Sequence, residues 1–258
     1  MNNNQPIGLF DSGIGGTSIW KEVHSLMPKE DTIYLADSKN APYGQKSKDE
    51  IVALSIKNTE FLLENNCKII VVACNTATTN AVKELRAKYD IPFIGIEPAI
   101  KPAAHNSRTQ TIGILATKGT LSSELFNKAV EIYQDTTIIE QVGHGLVQLI
   151  ENGDINSSEM TKLLYEYLTP MVEANIDYLV LGCSHYPFLI PQIKKIIPSH
   201  IKIIDSGEAV ARQTQNVLGE KLGFSDRAKG TPTFYTNTNP KVLTDILENK
   251  YPVIEKNF

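Results

Sequence analysis

No long hydrophobic run occurs in this 258-residue sequence. The longest unbroken apolar stretch, Ile69–Cys74, covers six residues. A membrane helix needs about 18 or more, so no membrane span or membrane partner is expected. The opening segment, Met1-Asn2-Asn3-Asn4-Gln5-Pro6, has neither a basic region nor an apolar one, so no secretory signal peptide is expected there. Cysteine is scarce, with three widely spaced copies. Three such residues make no disulfide framework and fit a reducing, cytoplasmic setting. A basic block is also missing, and the net charge is −4, which makes nucleic acid a poor partner. Neither GxGxxG nor GK[ST] is present, so the dinucleotide and P-loop patterns are excluded. There is no low-complexity tract or long linker.

What remains is an ordinary globular composition, 41% hydrophobic and 21% charged. The length suits two small domains. Short apolar runs alternate with longer amphipathic stretches. Strands are expected at Ile7–Phe10, Thr32–Ala36, Ile69–Ala73, Phe93–Ile96, Ile112–Ala116, Thr137–Val142, Tyr178–Gly182, Ile201–Ile204 and Thr233–Tyr235. Helices are expected near 17–27, 47–65, 77–89, 120–134, 157–174, 188–197, 207–222 and 240–249. Runs such as Ile69-Ile70-Val71-Val72 are apolar throughout, as strands buried on both faces are. The rhythm predicts an α/β fold of doubly wound parallel sheets.

A faint duplication runs through the chain. Ile7-Gly8-Leu9-Phe10-Asp11-Ser12 resembles Ile112-Gly113-Ile114-Leu115-Ala116-Thr117, and Val71-Val72-Ala73-Cys74-Asn75 resembles Val180-Leu181-Gly182-Cys183-Ser184. The pairs follow in the same order at similar spacing, which predicts two related halves. Glu97-Pro98-Ala99-Ile100-Lys101-Pro102 reads as the crossing between them.

Ligands of open α/β sheets bind beyond the carboxyl ends of the strands, so chemistry is sought there. Asp11-Ser12-Gly13-Ile14-Gly15-Gly16, Cys74-Asn75-Thr76, Thr117 with Thr120, and Cys183-Ser184-His185 all follow predicted strands. Ala41-Pro42-Tyr43-Gly44 adds a rigid turn bearing a tyrosine. The glycine loop reads equally as a tight turn or as a cradle of N–H groups for an anion. Cys74 and Cys183 are the sharpest signal. Free cysteine is usually an inert core residue. Two at matching positions of duplicated halves, each before an expected helix start that would lower the thiol pKa, point to function. Cys67 has no counterpart and reads as structural. His185, two residues past Cys183, is an acid/base candidate. His24, His105, His144 and His200 read as ordinary. Cys74, Cys183, His185 and Asp11 lack the paired local spacing of a zinc site, so no metal is expected. Two opposed thiols could remove a proton from one side of a carbon and return one to the other, inverting it without a cofactor.

At this point the sequence resembles the bacterial glutamate racemases, cofactor-independent amino-acid racemases of the aspartate/glutamate racemase superfamily. The resemblance rests on Asp11-Ser12-Gly13-Ile14-Gly15-Gly16, Ala41-Pro42-Tyr43-Gly44, Ala73-Cys74-Asn75-Thr76-Ala77, Ala116-Thr117, Leu149-Ile150-Glu151-Asn152-Gly153, Leu181-Gly182-Cys183-Ser184-His185-Tyr186-Pro187 and Asp205-Ser206-Gly207, in order along nearly the whole chain. It implies two doubly wound α/β domains with the active site in the cleft between them. The first would be discontinuous, residues 1–97 plus about 208–258, with 98–207 as the second. Cys74 would be the base for D-glutamate and Cys183 the base for L-glutamate, assisted by Asp11 and His185 respectively, with Glu151 a supporting carboxylate. Asp11, Ser12, Pro42, Tyr43, Gly44, Asn75, Thr76, Thr117, Thr120, Ser184 and His185 would bind substrate. The family also implies D-glutamate supply for peptidoglycan, and it is often homodimeric. Three departures stand out. Ser184 replaces the usual Thr, Asp37-Ser38-Lys39-Asn40-Ala41-Pro42 lacks the usual Thr-Ala-Arg run before Pro-Tyr-Gly and leaves Lys39 in place of the Arg, and Phe126 replaces a common Tyr. Rival readings are an aspartate racemase, a dithiol redox protein, and a non-catalytic amino-acid or phosphate binder.

Overall fold

The computed structural model describes residues 3–258. Its ten strands are β1 (Ile7–Asp11), β2 (Thr32–Ala36), β3 (Ile69–Val72), β4 (Phe93–Gly95), β5 (Thr111–Ala116), β6 (Thr137–Val142), β7 (Tyr178–Gly182), β8 (Lys202–Ile204), β9 (Pro232–Thr236) and β10 (Val253–Glu255). They form two sheets, ordered β10-β9-β2-β1-β3-β4 and β6-β5-β7-β8. Every pairing is parallel. Two doubly wound parallel-sheet domains result, as the alternation of apolar runs and amphipathic stretches predicts.

The duplication is visible in the strand order. β2-β1-β3-β4 in the first sheet repeats as β6-β5-β7-β8 in the second, so β1 matches β5 and β3 matches β7. In each sheet the winding reverses between those two strands. A crevice opens where two neighbouring connections leave in opposite directions, and it sits at the strands' carboxyl ends. That topology points Asp11 and Cys74 in one half, and Thr117 and Cys183 in the other, towards such crevices.

Alternation in the strands feeds two apolar layers. Ile7, Leu9, Ile69 and Val71 face one cluster, while Phe10, Ile70 and Val72 face another. The first cluster continues into the second sheet through Leu115, Leu179 and Leu181. A third, around Ile112, Ile114, Val180 and Phe126, covers the far face of the second sheet. Phe126 is almost fully buried there. A tyrosine hydroxyl at that place would need a partner, so its loss suits the layer.

The chain enters the second sheet between β4 and β5 and returns to the first between β8 and β9. The two crossings touch, with the Ser206 hydroxyl donating to the Glu97 carbonyl. The return adds β9 and β10 to the first sheet. Four expectations need correction. The helix expected at 120–134 is two, Lys118–Leu121 and Glu124–Glu131, because Ser123 caps the second through Phe126 N. The crossing after Glu97 contains a helix, Ile100–Asn106. A short helix, Leu146–Glu151, and strand β10 were not expected at all. Among the described residues no helix is long and apolar enough to cross a membrane.

Candidate active site

The carboxyl ends of the two sheets face each other across a small cavity. Its walls include Ser12, Pro42, Tyr43, Gly44, Cys74, Asn75 and Thr76 from the first unit. Thr117, Val147, Cys183, Ser184 and His185 come from the second. Both thiols are buried, 4% and 6% exposed, and all three cysteines are free. The cavity volume is about 10 Å³, roughly room for one water. Val147 is the one wall residue the sequence reading missed. It lies on the unexpected helix Leu146–Glu151.

Cys74 leaves β3 in extended geometry and is the N-cap of the helix Asn75–Lys88, its sulfur accepting from Ala77 N at 3.4 Å. Its sulfur also lies 3.7 Å from Ser12 Oγ. Here the expected lowering of the thiol pKa is overturned. Burial pushes it well above the usual range, the Asp11 carboxylate adds to that, and the Ala77 N–H opposes only in part. Cys183 is not a helix N-cap. It sits in a bend, and a turn at Ser184 and His185 leads into the 3₁₀ turn Tyr186–Leu189. Its sulfur is 3.8 Å from His185 Nδ1. Cys67 is different again. It is packed against Gly8 away from the cavity, and burial pushes its thiol up to about 12, so it is inert.

Asp11 and Glu151 lie behind the wall. Asp11 is fully buried, accepts from Gly13 N at 3.2 Å and Gly16 N at 3.0 Å, and takes the Ser184 hydroxyl at 3.1 Å. Ser184 therefore keeps a defined role without the missing methyl. Burial raises the Asp11 pKa, against the opposing pull of His185. Glu151 accepts from Ile14 N at 2.7 Å and from Ser38 Oγ at 2.7 Å. Its Oε1 is 2.5 Å from His185 Nε2. Gly15 N also points at Nε2, at 3.3 Å. The shorter contact governs, so Nε2 donates to Glu151 and Nδ1 faces the Cys183 sulfur. Burial alone would drive the proton off His185, yet the Cys183 contact, Glu151 and Asp11 together hold its pKa well above the usual value.

This resolves the two readings of the glycine loop. Its N–H groups do cradle anions, and the anions are the protein's own carboxylates, Asp11 and Glu151. Its glycines serve close approach. A Cβ at Gly13 would lie 1.9 Å from Glu151 Oε1, and one at Gly15 would lie 2.1 Å from His185 Nδ1. Only bare backbone lets the second unit come this near.

Thr120 does not reach the cavity. It is buried and bonds Thr117 Oγ1 at 3.0 Å, which in turn bonds Thr76 Oγ1 at 2.8 Å. These hydroxyls and Asn80 Nδ2, donating to Gly119 O at 3.0 Å, stitch the two units along one edge. Lys39, one of the departures from the family pattern, has an exposed side chain, and its loop is held by Asp37, which accepts from Asn40 Nδ2 at 2.7 Å and from the Tyr43 hydroxyl. One buried group stands apart: both side-chain polar atoms of Asn75 lack a hydrogen-bond partner, although Asn75 lines the cavity.

Comparison with known proteins settles the lineage. Residues 16–214 match the model of the Asp/Glu/hydantoin racemase family. The chain belongs to that family. Pseudomonas entomophila glutamate racemase is 44% identical over 244 residues, 94% of this chain and 92% of that one. The Bacillus anthracis glutamate racemase isoform RacE1 superposes with a TM-score of 0.89 at 30% identity, covering 99% of this chain and 98% of that one. The Escherichia coli enzyme, solved with L-glutamate and the activator UDP-MurNAc-ala, gives 0.87 at 30% identity over 97% of each chain. A Picrophilus torridus aspartate racemase shares 18% identity and a TM-score of 0.58, a likeness of fold alone. The chain is thus an isomerase homologous to glutamate racemases. The dithiol redox and binding-only readings fall away with this membership.

Proposed function

We propose that this racemase interconverts L- and D-glutamate by passing protons between the α-carbon and two thiols, Cys74 and Cys183, one on each face. The observation that carries the reading is the placement of two buried thiols at equivalent strand ends of two equivalent sheets, both lining one cavity, one from each unit. One sulfur, as thiolate, takes the α-proton and leaves the electron pair on carbon. The other, as thiol, gives its proton to the opposite face. The two sulfurs have then exchanged protonation states, and the reverse reaction uses the same groups. No electron acceptor is needed.

The surrounding charges suit these roles. A thiol whose pKa burial and Asp11 push up is a strong base once deprotonated. A protonated His185 can deliver a proton to the Cys183 sulfur and take one back. Following the family resemblance, Cys74 serves D-glutamate and Cys183 L-glutamate. Asn75 holds substrate. A buried amide without partners costs about 1–3 kcal/mol, which a bound carboxylate on Nδ2 and ammonium on Oδ1 would recover. Ser12, Tyr43, Gly44, Thr76, Thr117 and Ser184 complete the pocket. A cavity of about 10 Å³ cannot admit glutamate, so the units must part for entry. We place the division at 1–97 plus 208–258 against 98–207, with a cytoplasmic location, D-glutamate passing to peptidoglycan, and a homodimer as the assembly to test by sedimentation.

The test is incubation with L-glutamate in D₂O without added cofactor. Loss of the α-proton by NMR with D-glutamate by chiral chromatography is expected. Faster turnover of aspartate would overturn the substrate assignment, and no exchange with either acid would overturn the reading.

A further inference from the structure

We propose that Asn237, brought by the C-terminal return, is a positioning residue for the Tyr43–Gly44 wall of the active site, acting through Asp37. Asn237 directly follows β9 and is 8% exposed. Its Nδ2 donates to Asp37 Oδ1, and its Oδ1 accepts from Lys39 N at 2.9 Å. Asp37 is 1% exposed and, among the described residues, forms no ion pair. Neutral donors alone satisfy it: Asn237 and Asn40 on Oδ1, the Tyr43 hydroxyl on Oδ2. Asn58 Nδ2 donates to the same Tyr43 hydroxyl at 3.0 Å. Tyr43 and Gly44 then line the cavity.

A buried carboxylate without a cation depends on every donor it has. Asn237 is the donor that comes from the far end of the sequence. It grips Asp37 with its amide and the backbone of Lys39 with its carbonyl, so it fixes both the carboxylate and the turn that carries it. The Tyr43 hydroxyl is oriented by that carboxylate. Asn237 touches no cavity atom and therefore acts only by placing this wall. The inference rests on the reading that this cavity binds glutamate.

The experiment compares wild type with Asn237→Asp and Asn237→Ser across pH 6 to 9, measuring kcat and KM for L-glutamate and thermal unfolding. Asn237→Asp puts two carboxylates face to face. They share a proton at low pH and repel once both ionise. The other titratable groups near this network are Tyr43 itself, the Cys74 thiol acting on it, the exposed Lys39, Glu151, which accepts from the neighbouring Ser38 hydroxyl, and Asp11, whose carbonyl accepts from Asp37 N; all are common to wild type and variant. The expected result is a KM near wild type at pH 6 that rises about tenfold more than the wild-type KM by pH 9, the size of a lost charged hydrogen bond, with kcat changing little. Asn237→Ser, which keeps a short donor, is expected to fall between the two without the pH dependence. A KM for Asn237→Asp that tracks wild type at every pH overturns the proposal. So does a parallel loss of kcat and stability in both variants without a separate change in KM. If Asn237→Asp fails to fold, Asn237→Ser with wild-type KM overturns it alone. Absence of turnover in the wild type would instead overturn the glutamate reading.

Discussion

Adding one methyl group at Gly15 is expected to disable the enzyme while leaving it folded. Gly15 has no left-handed backbone, so alanine meets no conformational penalty there. The obstacle is His185, whose ring would lie 2.1 to 2.5 Å from the new Cβ. Ordinary contact begins near 3.4 Å, so the ring must retreat by about 1.3 Å. It cannot do so freely. Glu151 holds Nε2 at 2.5 Å, and Ile14 N and Ser38 hold Glu151 in turn. Either the imidazole leaves Cys183 or the two units stay apart. A displacement of about 1 Å at a reacting group costs on the order of 100-fold in rate, and overpacking costs about 1–3 kcal/mol of stability. The assay is kcat/KM for L-glutamate with urea unfolding, using Gly219→Ala as control. A Cβ at Gly219 would meet only Phe224, at 3.5 Å. Gly15→Ala with wild-type kcat/KM would refute the view that these glycines exist for close approach.

Cys74→Ala and Cys183→Ala should each suppress racemisation by about 100- to 10,000-fold, the contribution of a missing acid/base. Either variant racemising at the wild-type rate in D₂O would sink the two-thiol scheme. His185→Gln should lose stability in a pH-dependent way. Because folding raises the His185 pKa, its contribution is complete below about 6.5 and disappears as pH rises through the folded value. Urea titrations at several pH values should therefore show wild type and variant converging in alkali, and a constant gap would contradict the assignment. At the opposite end of the strands, Lys68 pairs with Glu30 at 2.7 Å with both side chains buried. Lys68→Met should cost about 3–5 kcal/mol, roughly 10 °C in Tm, with kcat at 25 °C unchanged. An unaltered Tm would show that the pair does not hold the amino end of the sheet.

Elements with strong local signals were legible from the residues alone. β3 and β7 could be read because both faces are buried and their runs are apolar throughout. The helix Lys48–Glu64 begins where Ser47 and Glu50 form a capping box, a signature local to four residues. β10 escaped because it has three residues at a sheet edge, with Ile254 44% exposed. The helix Leu146–Glu151 escaped because its six residues are too short for a period to show. That helix nevertheless delivers Val147 and Glu151 to the site. Glu151 was found through the family resemblance, not through any spacing.

The class of fold, the two halves, and the residues that end their strands are written in neighbouring residues, because periodicity and strand-end chemistry are local properties. The sequence also carried the family motifs that place both thiols. The groups that surround each thiol are assembled by the folded chain. Burial and Asp11 override the helix N-terminus at Cys74, the glycine loop binds the protein's own carboxylates, and Asn237 reaches Asp37 from 200 residues away. Those outcomes depend on dielectric, distance and contact between segments remote in the chain, quantities that exist only once the two sheets have closed on each other.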